Sequence, residues 1–363
     1  MAYSIEQILG YVPLTAAVEK VKAGVPRLLP PEFYRRNPAD QVLGNKARLI
    51  NYTGTRKNAQ VLPYASPAKQ IEQMARESQD VILLHTIEKI PFQAELYMQL
   101  RQLDNYTVQK MAADEIAYQA MNAVTRQTNL ESSAVHVMLA NGKLWFDSSG
   151  NLLATSSGAD LTVDYGVPAN NLNQLNSLIS ASWATTSTDI PKQINNIKMT
   201  AVQTTGYPLK TALYGKNVMS YLLQNDFVKY YLARNPAANE RWKDTNQIPD
   251  GLFDLKWIPM QNTFFESSSG TVTEIFGGDT VTFCPDIQPM TYSIYEGSYP
   301  VPKSLMLAQN VEQQLANFEV KYGPFGYGMI APDSPAQILG VYGDTFLPRL
   351  KVPSAFFIAD VTP

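Results

Sequence analysis

Asp244, Asp250 and Asp254 are carboxylates spaced closely enough to share one polar loop. Two such groups can act as general acid and general base when a pocket raises the pKa of one of them. At this spacing in a polar stretch, acids are more often simply solvated. His85 lies in the apolar run VILLHTI, and His136 lies inside a long helical pattern. Their separation fits no metal-ligand spacing, which favours two locally satisfied imidazoles. Cys284, between Phe283 and Pro285, has no base beside it in sequence and reads as a buried, inert thiol. Gly277-Gly278-Asp279 precedes a β-like segment, so it reads as a hairpin turn rather than a phosphate cradle. No G-x-S-x-G, H-E-x-x-H, Walker or dinucleotide-binding pattern occurs. Asn51-Tyr52-Thr53 and Asn105-Tyr106-Thr107 match the glycosylation pattern, but no secretion signal accompanies them. The chemistry points away from an enzyme and implies no cofactor and no metal. The catalytic alternative is a carbohydrate-active hydrolase using Asp250 and Asp254.

Charge gives a second kind of candidate. The 363 residues include 29 basic and 32 acidic side chains, a net charge of −3, and only 17% are charged. Bulk nucleic-acid binders are clearly basic, so that class is excluded. Yet no Asp or Glu occurs between Asp40 and Glu72, where Lys46, Arg48, Arg56, Lys57 and Lys69 all fall. The pattern predicts two strands, near 47–52 and 60–64, joined by a tip at 54–58. Lys46, Arg48, Tyr52, Arg56, Lys57 and Tyr64 are the candidate contact residues of this hairpin. Its arms hold few large apolar residues, and an isolated two-stranded hairpin is marginal in water. It therefore needs another surface. An acidic patch on a neighbouring subunit fits at least as well as a polyanion, because no stacking aromatics interleave the cations. The plain alternative is a solvated surface hairpin.

The elements that carry these groups follow from periodicity. Residues 107–140 contain no Gly and no Pro. Val108, Ala112, Ile116, Ala120, Ala123, Gln127, Leu130, Ala134 and Val137 fall at helical steps, and Lys110, Asp114, Glu115, Arg126 and Glu131 take the other face. At about 1.5 Å per residue this is a rod of about 50 Å. Asn141-Gly142 is its stop signal. Residues 1–40 read as an irregular, proline-spaced arm, with a short helix at 4–9. Residues 68–103 read as mostly helical, broken at Pro91. Leu161, Val163 and Tyr165 alternate with polar residues as a half-buried strand. From residue 171 short helices (172–183, 190–205, 216–232) alternate with short strands (211–214, 280–284), which reads as a second α/β domain inserted into the first. Residues 346–352 and 355–359 read as closing strands. The single cysteine excludes an internal disulfide. The N-terminal sequence lacks a signal-peptide pattern, and the longest apolar runs are too short to cross a bilayer. The expectation is a soluble cytoplasmic protein with no membrane contact.

The order of these parts resembles a known plan. It runs from a proline-spaced arm to a basic hairpin ending in LPYASP (62–67), then a long helix, a Gly142-Lys143-Leu144 strand and DLTVDYG (160–166). PLKTALYGKNVMSYLL (208–223) and PRLKVPSAFFIADV (348–361) complete it. The chain resembles the lambda-type tailed-phage major capsid proteins (the protein E family), which have the Hong Kong 97 capsid fold. The match in order covers most of the chain; residues 287–308, rich in Pro and Tyr, depart from it. The resemblance implies an α+β, Hong Kong 97-like fold with an N-terminal arm (1–40), an extended E-loop hairpin (41–91) and a P-domain (92–170) carrying the spine helix. An inserted A-domain (171–310) and a return to the P-domain (311–363) follow. It also implies hexamers and pentamers of an icosahedral shell, assembled in the host cytoplasm with a separate scaffolding protein and a portal. A decoration protein is an optional further partner, and double-stranded DNA is enclosed without sequence-specific binding. Another virion component, tail or portal, is the alternative. Lys46 and Lys57 are the loop's conceivable crosslink donors, but no acceptor Asn can be chosen.

Overall fold

The computed structural model describes residues 11–52, 76–92, 99, 106–172, 179–234, 248–249, 251–260, 263–266, 272–302, 306–307, 318–331 and 337–362. The arm is not irregular throughout: α1 spans Tyr11–Gly24. Residues 14–23 lack Pro and Gly, and Leu14 and Val18 bury one helical stripe. The expected helix at 4–9 lies outside the described residues. Beyond α1 the chain is extended apart from one turn at Pro31–Tyr34, where Phe33 and Tyr34 are buried.

Strand β1 (Arg36–Val42) follows, then β2 (Lys46–Tyr52). The partner of β2 is β3 (Arg76–Ile82), in antiparallel register from Lys46↔Ile82 to Tyr52↔Arg76. The strand expected at 60–64 lies outside the described residues. β3 and β4 (Leu84–Phe92) correct the helical reading of this region. Along β4 exposure alternates residue by residue, with His85, Ile87, Lys89 and Pro91 outward. The run is rich in β-branched residues, which suit a pleated, half-buried surface. Among the described residues β4 pairs only with β17 (Gln337–Leu350), so Pro91 is tolerated on an edge strand.

The long helix, α2, spans Tyr106–Asn141. Gly142 ends it at φ +67°, a left-handed conformation that favours glycine, and its N–H donates to Met138 O at 2.7 Å. Ile116, Ala120, Ala123, Gln127, Ala134 and Val137 of the expected stripe are buried. β5 (Lys143–Phe146) pairs with β6 (Leu152–Leu153) and β7 (Leu161–Asp164). In β7, Val163 is buried as expected but Leu161 is exposed. The intervening turn is an Asp147 device, whose Oδ1 accepts the N–H of Ser149 and of Asn151.

A second unit holds α3 (Ile190–Thr205), β8 (Leu209–Tyr214), α4 (Val218–Gln224), α5 (Asp226–Ala233), β9 (Lys256–Pro259) and β12 (Thr280–Pro285). A small ribbon, β10 (Phe264–Glu266) with β11 (Val272–Glu274), precedes β12. Helix α3 spans the residues that periodicity predicts, with Asp189 capping its start and Gly206 its end. The single helix expected at 216–232 is two, because Asn225 caps α5 through the N–H groups of Phe227 and Val228.

The large sheet is built on β17. Phe346 faces Leu84 of β4 on one side and Glu296 of β13 (Tyr292–Pro302) on the other. Next to β13 lie β1, in parallel, and β15 (Phe318–Tyr322), while β16 (Phe325–Ala331) pairs β17 and the short β14 (Met306–Leu307). β13 thus joins the first unit's sheet although its residues were assigned to the inserted one. The reverse holds for β18 (Phe357–Asp360), which pairs β12 in the four-stranded sheet β18-β12-β8-β9. Phe356 faces the core around α2, whereas Phe357 and Ala359 face the second core. The closing segment therefore ties the two cores together. The stripe of α2 packs on Leu144, Phe146, Val163 and Tyr165, and also on Leu213, Phe276 and Cys284 at its C-terminal end.

Candidate functional site

The strongest concentration of chemistry is a buried charge cluster where α1, the segment after it, α2 and the large sheet converge. Leu14 and Val18 bring α1 against Ala120, Ala123 and Val124 of α2 and Tyr342 of β17. Thr15 Oγ1 donates to Gly326 O, and a Cβ on Gly326 would lie only 3.1 Å from Val18 and 3.4 Å from Leu14. This packing sets Lys22 next to two carboxylates, Glu131 of α2 and Asp344 of β17. Arg36, at the start of β1, donates through Nη2 to Glu131 at 2.7 Å and Asp344 at 2.7 Å, and through Nη1 to Asp344 and Glu296. Arg27 donates to Glu131 at 3.0 Å and lies over the Tyr34 ring.

The Glu131 and Asp344 side chains are almost fully buried, whereas the three cations keep 12 to 17% exposure. Burial alone would raise both carboxyls. Arg36 and Lys22, with Arg27 beside Glu131, outweigh it and hold both below the usual carboxylate range. Burial likewise works against the charge of Arg36, but Asp344 and Glu131 carry its pKa above the ordinary value. An open cleft of about 630 Å³ lies over the cluster, lined by Lys22, Arg27, Tyr34, Arg36 and Glu296 among others. A second buried group sits farther along β1: Asp40 takes Arg349 at 2.9 Å and Lys351 at 2.8 Å.

The sequence reading placed Glu131 on the polar face of the helix, and this is a correction. Position 131 follows Gln127 by four residues and precedes Ala134 by three, so it belongs to the buried stripe. The available signal was in the arm, where residues 20–36 hold Lys20, Lys22, Arg27, Arg35 and Arg36 against a single acid, Glu32.

The hairpin residues are placed in part. Lys46 and Arg48 point outward from β2, and Arg48 meets Asp80 across the strand pair at 3.7 Å, both largely exposed. Tyr52 ends the described part of β2 opposite Arg76. Arg56, Lys57 and Tyr64 lie outside the described residues. Ala47, Leu49 and Val81 turn inward onto the core around α2, and Tyr295 donates its hydroxyl to Arg48 O. The base of the hairpin is thus anchored on one face only.

The catalytic candidates do not assemble. Asp254 is exposed, and a hydrogen bond from Lys198, with the charge of Lys198 and Lys210, lowers its carboxyl pKa. A general acid needs the opposite shift. Asp244 and Asp250 lie outside the described residues. Cys284 is fully buried, and burial pushes its thiol up. His85 bonds Thr345 and stacks on Tyr299, and His136 lies 3.4 Å from the Tyr34 hydroxyl. Among the described residues no group of His, Cys, Asp and Glu could hold a metal ion. No helix among them is long and apolar enough to cross a membrane.

A family model described as phage major capsid protein E matches residues 11–314. Among solved structures, the putative capsid protein of a prophage of E. coli CFT073 is similar over 98% of this chain and 99% of that chain, at 12% identity and a TM-score of 0.59. A phage-related protein from Bordetella bronchiseptica RB50 is similar over 95% and 96%, at 10% identity and a TM-score of 0.49. No curated protein sequence matches the chain. The mixed helix-and-sheet architecture is the Hong Kong 97-like capsid fold.

Proposed function

The chain belongs to the phage major capsid protein E family, and we propose that it forms hexamers and pentamers of an icosahedral shell around double-stranded DNA. It is a structural protein of the phage virion, not an enzyme. The observation that carries the reading is the one-sided anchoring of the β2–β3 ribbon. Its inner face rests on the chain's own core, while Ile82 (55% exposed) on the ribbon and Leu43 (76% exposed) in the turn leading into it are exposed near Lys46 and Arg48. Apolar side chains so exposed on a projecting ribbon suit a surface that a neighbouring subunit covers.

On this reading residues 1–40 are the N-terminal arm, 41–91 the E-loop and 92–170 the P-domain with α2 as its spine. The axial A-domain begins near residue 171. We place its end near 290 rather than 310, because β13 belongs to the large sheet, and we treat β18 as a strand contributed back to the A-domain sheet. Lys46, Arg48, Tyr52, Arg56, Lys57 and Tyr64 are the inter-subunit contacts of the loop. A separate scaffolding protein, a portal and, where present, a decoration protein complete the particle in the host cytoplasm. DNA is enclosed without sequence recognition, consistent with the weak net charge. Deleting residues 51–62 tests the loop: the variant should stay folded and soluble but form no closed particles in the electron microscope. Closed particles from that variant would rule the loop assignment out.

A further inference from the structure

The inward-facing charges of residues 22–40 change sign once, and the body of the protein mirrors the change; Glu32 and Arg35, between them, are exposed. Lys22, Arg27 and Arg36 are cationic and meet only acids: Glu131 of α2, Asp344 of β17 and Glu296 of β13. Asp40, four residues after Arg36, is anionic and meets only cations, Arg349 at the end of β17 and Lys351 just beyond it. Within β17 and the residue after it, the acid at 344 and the cations at 349 and 351 carry the complementary order. Sliding the arm four residues one way would set Asp40 against Asp344, and sliding it four residues the other way would set Arg36 against the Arg349–Lys351 end. Both placements put like charges together in a buried site, which is strongly unfavourable.

We propose that residues 11–42 form a charge-keyed strap. Its change of polarity between Arg36 and Asp40 admits one register, and its seating clamps the long helix to the large sheet. The strap spans both partners of the clamp, since Arg36 Nη2 bridges Glu131 of the helix and Asp344 of the strand. Gln127 of the helix also donates to Tyr342 O of β17 at 3.0 Å, two residues from Asp344. The burial is unequal. The acids are in the body and nearly dry, while the cations are on the strap and border the open cleft. Lifting the strap therefore rehydrates its own charges readily but strands two carboxylates inside the body. Leu14 and Val18 of α1, and Leu29, Phe33 and Tyr34 after it, add apolar contacts, but on this proposal the carboxylates fix the seating. Neutralising them should free the strap and leave the body intact. This inference stands apart from the shell reading, because it concerns the isolated subunit.

Hydrogen exchange on the full-length, unassembled chain tests it by comparing the parent with Glu131→Gln/Asp344→Asn. These near-isosteric changes keep the space filled and remove the charge. Amides of Tyr11–Gly24 should exchange about tenfold faster or more, with β16 and β17 unchanged. Asp40→Asn, which removes the second key, should speed exchange in Arg36–Val42 by a smaller factor. Should the double variant fail to fold, Glu131→Gln alone gives the same comparison, again with a smaller factor. Helix protection equal to the parent's in a folded acid-neutral variant would overturn the proposal. So would equal loss of protection in α1 and in β16–β17, which would make the arm part of the core rather than a strap.

Discussion

Arg36 Nη2 lies 2.7 Å from Glu131 Oε1, joining the start of the first strand to the long helix across 95 residues of sequence. The same nitrogen reaches Asp344, so one guanidinium links arm, helix and sheet. Removing one partner of a buried ion pair leaves the other uncompensated and costs about 3–5 kcal/mol. Arg36→Met should therefore lower the unfolding free energy of the subunit by about that amount, read as a fall in the urea midpoint. Arg48→Met, which removes a largely exposed cation and its pair with Asp80, should change it by less than about 1 kcal/mol. Equal effects from the two variants would contradict the energetic picture of the cluster.

Stability should respond to pH in two steps of the same sign. Burial lowers the His136 pKa from 6.5 to about 4. The unfolded chain takes up that proton first, so this contribution is whole above about pH 6.5 and lost by about pH 4, amounting to roughly 3 kcal/mol at most. Glu131 and Asp344 act lower. Despite burial, the neighbouring cations depress both carboxyls. Their contribution is whole above the ordinary carboxyl value near 4 and is lost as pH falls through the lower folded values. Urea midpoints across pH 7.5 to 3.5 should thus fall before pH 4 and continue falling after it. His136→Gln should flatten the upper step only. A parent midpoint that is constant from pH 7.5 to 4.5 would contradict the burial of His136 as a neutral group.

Gly215 sits where strand β8 turns toward α4, and a Cβ there would lie 2.1 Å from Gly277 O and 2.5 Å from Gly278 O. Both are backbone atoms of the turn before β12, so neither can swing away. Gly215→Ala should cost about 1–3 kcal/mol or more, visible as a lowered melting temperature. Gly24→Ala, where a Cβ meets nothing within 4 Å, should be neutral within about 1 kcal/mol. The Gly277-Gly278-Asp279 turn thus packs its carbonyls against Gly215, and Asp279 fixes it by accepting from Asn217 and Tyr221.

What could be seen in the sequence was local. Residues 107–140 and 190–205 show an uninterrupted helical period closed by glycine, and both helices run as that period predicts. Residues 76–92 mixed apolar and charged residues in a way that fits either period over a short run, and Pro91 looked like a helix break rather than an edge-strand residue. The spacing of Glu131 from Gln127 and Ala134 puts it in the stripe, but a buried carboxylate makes sense there only with the cations about a hundred residues away. Placing β13 and β18 in each other's expected sheets was beyond periodicity altogether. A strand's own pattern says which face is buried but not which sheet it joins. The hairpin was legible as a feature unable to cover itself, yet its partner strand was not, because alternation is weak over the polar residues 76–80.

The central claim is that this chain builds closed shells. Negative-stain electron microscopy of the purified full-length protein, alone and co-expressed with the scaffolding protein of its own phage, measures this most directly. Uniform spherical particles or five- and six-membered rings are predicted. A monodisperse monomer in both preparations, or a ring of some other fixed copy number, would contradict the account.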